Sequence, residues 1–216
     1  MSNCSFGHLL RRRRKEARPG EITAAALEVF SERGFAATRL DEIAARAGVS
    51  KGTLYLYFDS KEALFRAAVE TAMMPAVEAA EALASSGDRP AVDLLRDFVF
   101  GWWQMVGCTA LGGVPKLLVA EAENFPEVAA WFHETIISRA HGAMVRIIEL
   151  GVARGEFRPL PPMTTARIVF APMFSYILWR RAFGGHMRDL PGPEEFLDLA
   201  ADLLVHGLAA SPETRS

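Results

Sequence analysis

Cysteine is nearly absent from this chain of 216 residues, which carries only Cys4 and Cys108. Two thiols so far apart build no disulfide framework, and no CxxC pair offers zinc its usual spacing. A reducing cytoplasm is the simplest setting. Long apolar runs are missing too. An uncharged, apolar-looking run of the back half lies between Arg167 and Arg180, short of the ~20 residues that a membrane-spanning helix needs. The segment MSNCSFGHLLRRRRKEAR lacks the apolar core of a secretory signal. Strand-like alternation is not seen, nor an NG or DG turn between alternating runs. HExxH, GxSxG and phosphate-loop sequences do not occur in the back half. His133 and His141 stand eight apart on one helical pattern, too far to share a metal without a third ligand. No catalytic residue, metal or cofactor is therefore expected, and the chain reads as a non-enzyme.

A large charge of one sign is also lacking, since the net charge is −2. That near-balance hides an asymmetry. Residues 1–65 hold eleven Lys and Arg against eight Asp and Glu, whereas the remainder holds thirteen against eighteen. A basic front on a mildly acidic body fits a nucleic-acid reader joined to a body with another task. Half of the residues are hydrophobic, enough for a sizeable core.

What is present is helical periodicity. Ile22, Ala25, Ala26, Val29 and Phe30 trace one face of a first helix, and Gly34 supplies its left-handed stop. Thr38 is read as opening a second helix with Asp41 as its capping-box partner. Gly48 makes a turn, and Ser50 caps a third helix from Lys51 to about Phe58. Asp59 or Ser60 caps a fourth helix that reaches about Ala84 and contains Pro75. SSGDRP, residues 85–90, looks like a linker. Further helices are expected over about 91–106, 114–123, 126–154, 163–183 and 194–209, with Pro126 and Pro193 at first positions. The fold class is all-α, with three expected parts: a basic arm over 1–19, a helix-turn-helix domain over 20–66 and a helical bundle over 67–216.

The stretch Thr38–Lys61 has the layout of a helix-turn-helix. Small residues Ala44, Ala47 and Gly48 allow two helices to cross closely. Leu54 and Phe58 anchor the reading helix, which leaves Lys51, Thr53, Tyr55 and Tyr57 for DNA. Lysine, threonine and tyrosine donate to phosphates, and Lys51 can reach a guanine edge. Ser50 sits at the same helix start, whose free N–H groups suit a phosphate. Lys61 is expected to add one more backbone contact. Tyr55 and Tyr57 cannot both pack inward with the leucine between them, because i and i+2 point apart on a helix. The tract Arg11–Lys15 reads either as an arm for the minor groove or as a solvated tail adding nonspecific affinity, the second being favoured.

The run GFAATRLDEIAARAGVSKGTLYLYFDSKEALF, Gly34–Phe65, resembles the N-terminal domain of the TetR family of bacterial transcriptional regulators. The resemblance implies a homodimer that represses transcription from a double-stranded operator and lets go when a small molecule binds its C-terminal domain. By position it makes Thr38, Arg39, Lys51, Thr53, Tyr55, Tyr57 and Lys61 DNA contacts, Arg39 standing where a small hydroxyl residue is more usual. It also makes the last two helices the dimer interface, with Phe170, Phe174, Ile177 and Arg181 on one and Phe196, Leu199 and Leu203 on the other. A twofold dimer sets its two reading helices about 34–36 Å apart, one turn of a palindromic operator.

The back half is dense in aromatic and methionine side chains. An apolar effector pocket is expected from Trp102, Met105, Trp131, Phe132, Met173 and Tyr176, with Gln104 or His133 as polar anchors. For each of these, plain core packing is the competing reading. Two other functions stay open: a regulator without a small-molecule effector, including an activator, and an enzyme or carrier with a vestigial helix-turn-helix.

Overall fold

Ile22, Ala26, Val29 and Phe30 recur at helical spacing and are all buried, so the first helix forms around one apolar stripe. In the computed structural model, which describes residues 5–187 and 189–210 with side chains from Pro19 onward, this helix, α1, runs Ser5–Arg33. It is longer than its apolar face suggests and passes through Pro19. The side chains of the Arg11–Lys15 tract lie outside the described residues.

Gly34 ends α1 with φ of 85°, a conformation that costs glycine little. Next come α2 (Leu40–Arg46), α3 (Lys51–Tyr55) and α4 (Lys61–Ser85). Phe30, Phe35 and Phe65 form a triad with ring centroids 5.1–5.5 Å apart. Around it Ile43, Leu54 and Leu64 are fully buried. Arg46 ties α2 back to α1 through Glu28 at 3.1 Å and Glu32 at 2.9 Å.

Ser50 caps α3 as expected, its Oγ accepting from Thr53 N–H at 3.1 Å, and Ser60 caps α4 by accepting from Ala63 N–H at 3.0 Å. The capping box assigned to Thr38 and Asp41 is not formed. The residue flanking α2 is Arg39, which makes no side-chain cap. Thr38 instead donates to the Gly34 carbonyl at 2.6 Å. The third helix also stops at Tyr55, three residues short of the expected end.

Residues 1–72 and 73–216 form two compact units. The second contains α5 (Ala91–Trp102), α6 (Gly113–Glu121), α7 (Pro126–Phe132), α8 (Ser138–Ala153), α9 (Pro162–Phe183) and α10 (Pro193–Leu208). Its core joins Leu94, Leu95 and Phe98 of α5 to Met144 and Ile147 of α8 and to Val169 and Met173 of α9. The linker-like 85–90 segment is a pinned turn. Arg154 donates to the carbonyl of Arg89 at 2.7 Å and to that of Gly87. Glu156 accepts from the Ala91 N–H at 2.6 Å, capping α5 from a distant part of the chain.

Two helices expected to be uniform contain wide π-turns, at Trp103–Gly107 after α5 and at His133–Ile137 between α7 and α8. Among the described residues there is no regular strand, only one isolated bridge between Phe157 and Ala209, and no helix is long and apolar enough to cross a membrane. The architecture is all-α, with an N-terminal helix-turn-helix cluster and a C-terminal helical bundle.

Candidate DNA-reading surface and apolar cavity

Gly48 turns the chain between α2 and α3 with φ of 65°, and Leu54 plugs α3 into the core. What remains outside is a compact polar face. Arg39 and Lys51 are exposed there, and both flank Asp41, at 3.6 Å and 2.8 Å. The Asp41 carboxyl is held below its ordinary value, chiefly by its hydrogen bond from Lys51. The Lys51 ammonium is correspondingly more basic. Ser50 and Thr53 share a hydroxyl hydrogen bond of 2.8 Å beside them. Tyr55 is exposed and Tyr57 half-buried.

Two residues assigned to this face do other work. Thr38 is 3% exposed, and its hydroxyl is spent on the Gly34 carbonyl, so its side chain presents nothing to a groove. Lys61 donates to the carbonyls of Phe35 at 2.9 Å, Ala36 at 3.1 Å and Thr38 at 3.4 Å. All three ammonium donors are engaged, so Lys61 staples the α1–α2 turn. One outward residue was missed. Leu56, between the two tyrosines, is 82% exposed, and an apolar side chain at the end of a reading helix suits a thymine methyl.

The second unit contains a half-open cavity of about 420 Å³, within the range of small-molecule sites. Its wall comes from Trp102 of α5, Leu118 of α6, Phe132 of α7, Ile136 in the π-turn, and Phe170 and Phe174 of α9. Trp102 and Phe132 thus join it as expected. Met173 and Tyr176 belong to the core cluster and are absent from the lining, and Tyr176 donates to the Pro191 carbonyl at 2.6 Å. Gln104 and His133 are exposed, and Met105 and Trp131 are half-buried outside the lining.

The polar lining residues are instead His141 and Arg167. Burial, then the charges of Arg167 and His133, lowers the basicity of His141. Its ring packs edge-on to Phe170, with centroids 4.6 Å apart. No periodicity argument marked this pair, because they meet only when α8 and α9 pack together.

The residues assigned to an interface divide. Ile177 is buried in the core, Phe170 turns into the cavity, Phe196 stacks on Tyr176 at 4.4 Å and Arg181 donates to the Thr109 carbonyl. Leu199 and Leu203 remain outside, 60% and 65% exposed, and Ile168, Phe174, Trp179 and Phe183 are exposed on α9.

Comparisons with known proteins agree with this arrangement. Residues 22–68 match the model of bacterial regulatory proteins of the tetR family. Residues 95–189 match that of the tetracyclin repressor-like C-terminal domain. An uncharacterized HTH-type transcriptional regulator, YfiR of Bacillus subtilis, is 27% identical over 172 residues, covering 74% of this chain and 77% of that one. Other curated regulators match over less than half of their own length. A TetR-family regulator from Mesorhizobium loti shares the fold at 20% identity, with a TM-score of 0.74 over 91% of this chain and 99% of that one. So does the regulator FadR from Bacillus subtilis, solved in complex with stearoyl-CoA, at 21% identity and a TM-score of 0.69 over 87% of this chain and 98% of that one. With a helix-turn-helix whose outer face is basic and hydroxyl-rich, and both halves matched, the chain belongs to the TetR family of bacterial transcriptional regulators, DNA-binding proteins and not enzymes.

Proposed function

We propose that this regulator is a homodimeric repressor that leaves a palindromic operator when a small apolar or aromatic effector occupies its C-terminal cavity. The observation that carries the reading is the cavity itself, about 420 Å³ and walled almost entirely by apolar side chains. An apolar pocket of this size suits a small molecule, whose apolar surface gains by leaving water. FadR, of like fold, was solved with an acylated ligand, which supports an apolar effector class. On the DNA side the reading rests on Arg39, Ser50, Lys51, Thr53, Tyr55 and Tyr57. The exposed apolar residues of α9 and α10 support self-association.

Release is a population shift, in which the effector prefers a conformer that binds the operator poorly. Met73 of α4 lines the cavity, and the same helix starts at Lys61, which holds the α1–α2 turn. Movement of α4 is thus the proposed route. Moving a mostly bound population to a mostly free one takes an effector preference of about 5 kcal/mol. The test is binding of the full-length protein to DNA from its own upstream region, followed by fluorescence anisotropy against a panel of apolar and aromatic compounds. Release by members of the panel, abolished when Ala171→Trp fills the cavity, is the expected result. Tight DNA binding that no apolar compound weakens overturns the effector reading.

A further inference from the structure

We propose that the effector carries one anionic group, carboxylate or phosphate, bound by Arg167 beside His141, with its apolar body in the cavity. The inference rests on the effector reading above and narrows its chemistry. Among the described lining residues the only ionisable side chains are His141 and Arg167, and they stand on neighbouring helices, α8 and α9. Acidic residues do not occur in the lining. Every other side chain there is hydrocarbon, thioether or indole, so the cavity presents an apolar body with one positive edge.

Several arginines of this unit face a carboxylate. Arg89 faces Asp97 at 2.6 Å, Arg96 faces Asp202 at 3.4 Å and Arg139 faces Glu81 at 2.7 Å. Arg167 has no acidic partner among the described residues. It is exposed yet lines the cavity, which puts its charge at the rim, where a ligand head can keep part of its hydration. A guanidinium binds a carboxylate or phosphate through two parallel N–H donors. His141, kept neutral by burial and by the Arg167 charge, retains one ring N–H that can donate to the same anion.

Size limits the body. A volume of about 420 Å³ holds roughly fourteen water-sized groups, which suits a medium acyl chain or a fused-ring acid. A cationic amphiphile would face Arg167 with like charge and is excluded by the same geometry.

The experiment is isothermal titration calorimetry on the full-length protein with decanoate, decyl phosphate, 1-decanol and decylamine, repeated on Arg167→Gln and Arg167→Lys. Decanoate or decyl phosphate should bind about ten- to a hundredfold tighter than decanol, the range for a hydrogen bond to a charged group. Whichever of the two binds tighter identifies the anion. Arg167→Gln should remove that advantage and leave decanol binding unchanged, with Arg167→Lys intermediate. Decanol binding as tightly as both anions, an Arg167→Gln variant that keeps the full preference, or no binding by any probe overturns the proposal. The effector reading has its own readout, release of DNA by uncharged apolar compounds, so it can stand where this inference fails.

Discussion

The Lys61 ammonium lies 4.7 Å above the Phe35 ring and donates to the Phe35 carbonyl at 2.9 Å. One side chain thereby holds the turn between α1 and α2 by two kinds of contact, with Ala36 and Thr38 as further acceptors. Lys61→Ala strips donors from three turn carbonyls and should cost about 2 kcal/mol, given that hydrogen bonds to charged groups contribute 1.5–3 each and water replaces part of them. For a chain of this size that is a melting temperature lower by about 4–8 °C. Because the ammonium already has its acceptors, the salt dependence of DNA binding should be unchanged. Thermal denaturation and a salt titration of binding check both. A slope flattened by about one unit with an unaltered melting point would return Lys61 to the DNA contacts.

Asp41 puts a negative charge on the candidate DNA-reading face, between Arg39 and Lys51. To contact phosphate, either cation must leave this carboxylate. Asp41→Asn should therefore bind DNA severalfold tighter and steepen the salt slope by about one unit for each cation freed. Discrimination between operator and random DNA should fall, because free cations favour any phosphate. Lys51→Ala should relax preference at one base position and barely affect the others. Equal losses on operator and random DNA would make Lys51 a backbone contact.

Local signals were legible in the chain. The apolar stripe Ile22–Phe30, the left-handed stop Gly34, the turn at Gly48, the Ser50 cap and the Pro193 helix start each depend on a few neighbouring residues, and each stands where it was read. What failed has two causes. Thr38 has the side chain of a helix cap, but its hydroxyl is taken by the Gly34 carbonyl four residues back, and the rest depends on distant partners. The cavity was misread for a geometric reason. Trp131, Phe132 and His133 were grouped as neighbours, whereas the lining on this segment follows Ala129, Phe132, Ile136, Ile137, Ala140 and His141. The π-turn at His133–Ile137 adds a residue to one turn and shifts the face that follows. Arg167 was hidden because it joins His141 only when α8 and α9 pack together, and its only mark in the sequence is its charge.

His141 gives the bundle a pH signature. Burial first, then Arg167 and His133, makes its folded form bind a proton less readily than the unfolded chain. Its contribution to stability is thus fully present above the ordinary histidine value of about 6.5 and is lost as pH falls below it toward the folded value. The melting temperature should drop more steeply on acidification in the wild type than in His141→Gln, and NMR of the imidazole should titrate below its usual range. Bound decanoate should move that titration back up, since an anion favours the charged ring. Identical pH profiles for the two proteins would mean that His141 titrates freely.

Leu199 and Leu203 lie one helical turn apart on α10 and are 60% and 65% exposed. Ile168, Trp179 and Phe183 are exposed on α9, the helix that packs beside it. Burying one such side chain fully is worth about 1.5–3 kcal/mol, so a lone monomer forgoes a large driving force for association. In a twofold interface each substitution enters twice and can face its own copy. Leu199→Glu with Leu203→Glu therefore sets four carboxylates into one apolar contact, where burial of unpaired charge is strongly unfavourable. The variant should run as a folded monomer by light scattering after gel filtration, with unchanged circular dichroism because neither residue packs in the core. Affinity for a single half-site should persist, while affinity for the full palindrome should fall to about that of the half-site, since the second contact is no longer tethered to the first. A variant that stays dimeric and binds the palindrome as tightly as the wild type would move the interface away from α10.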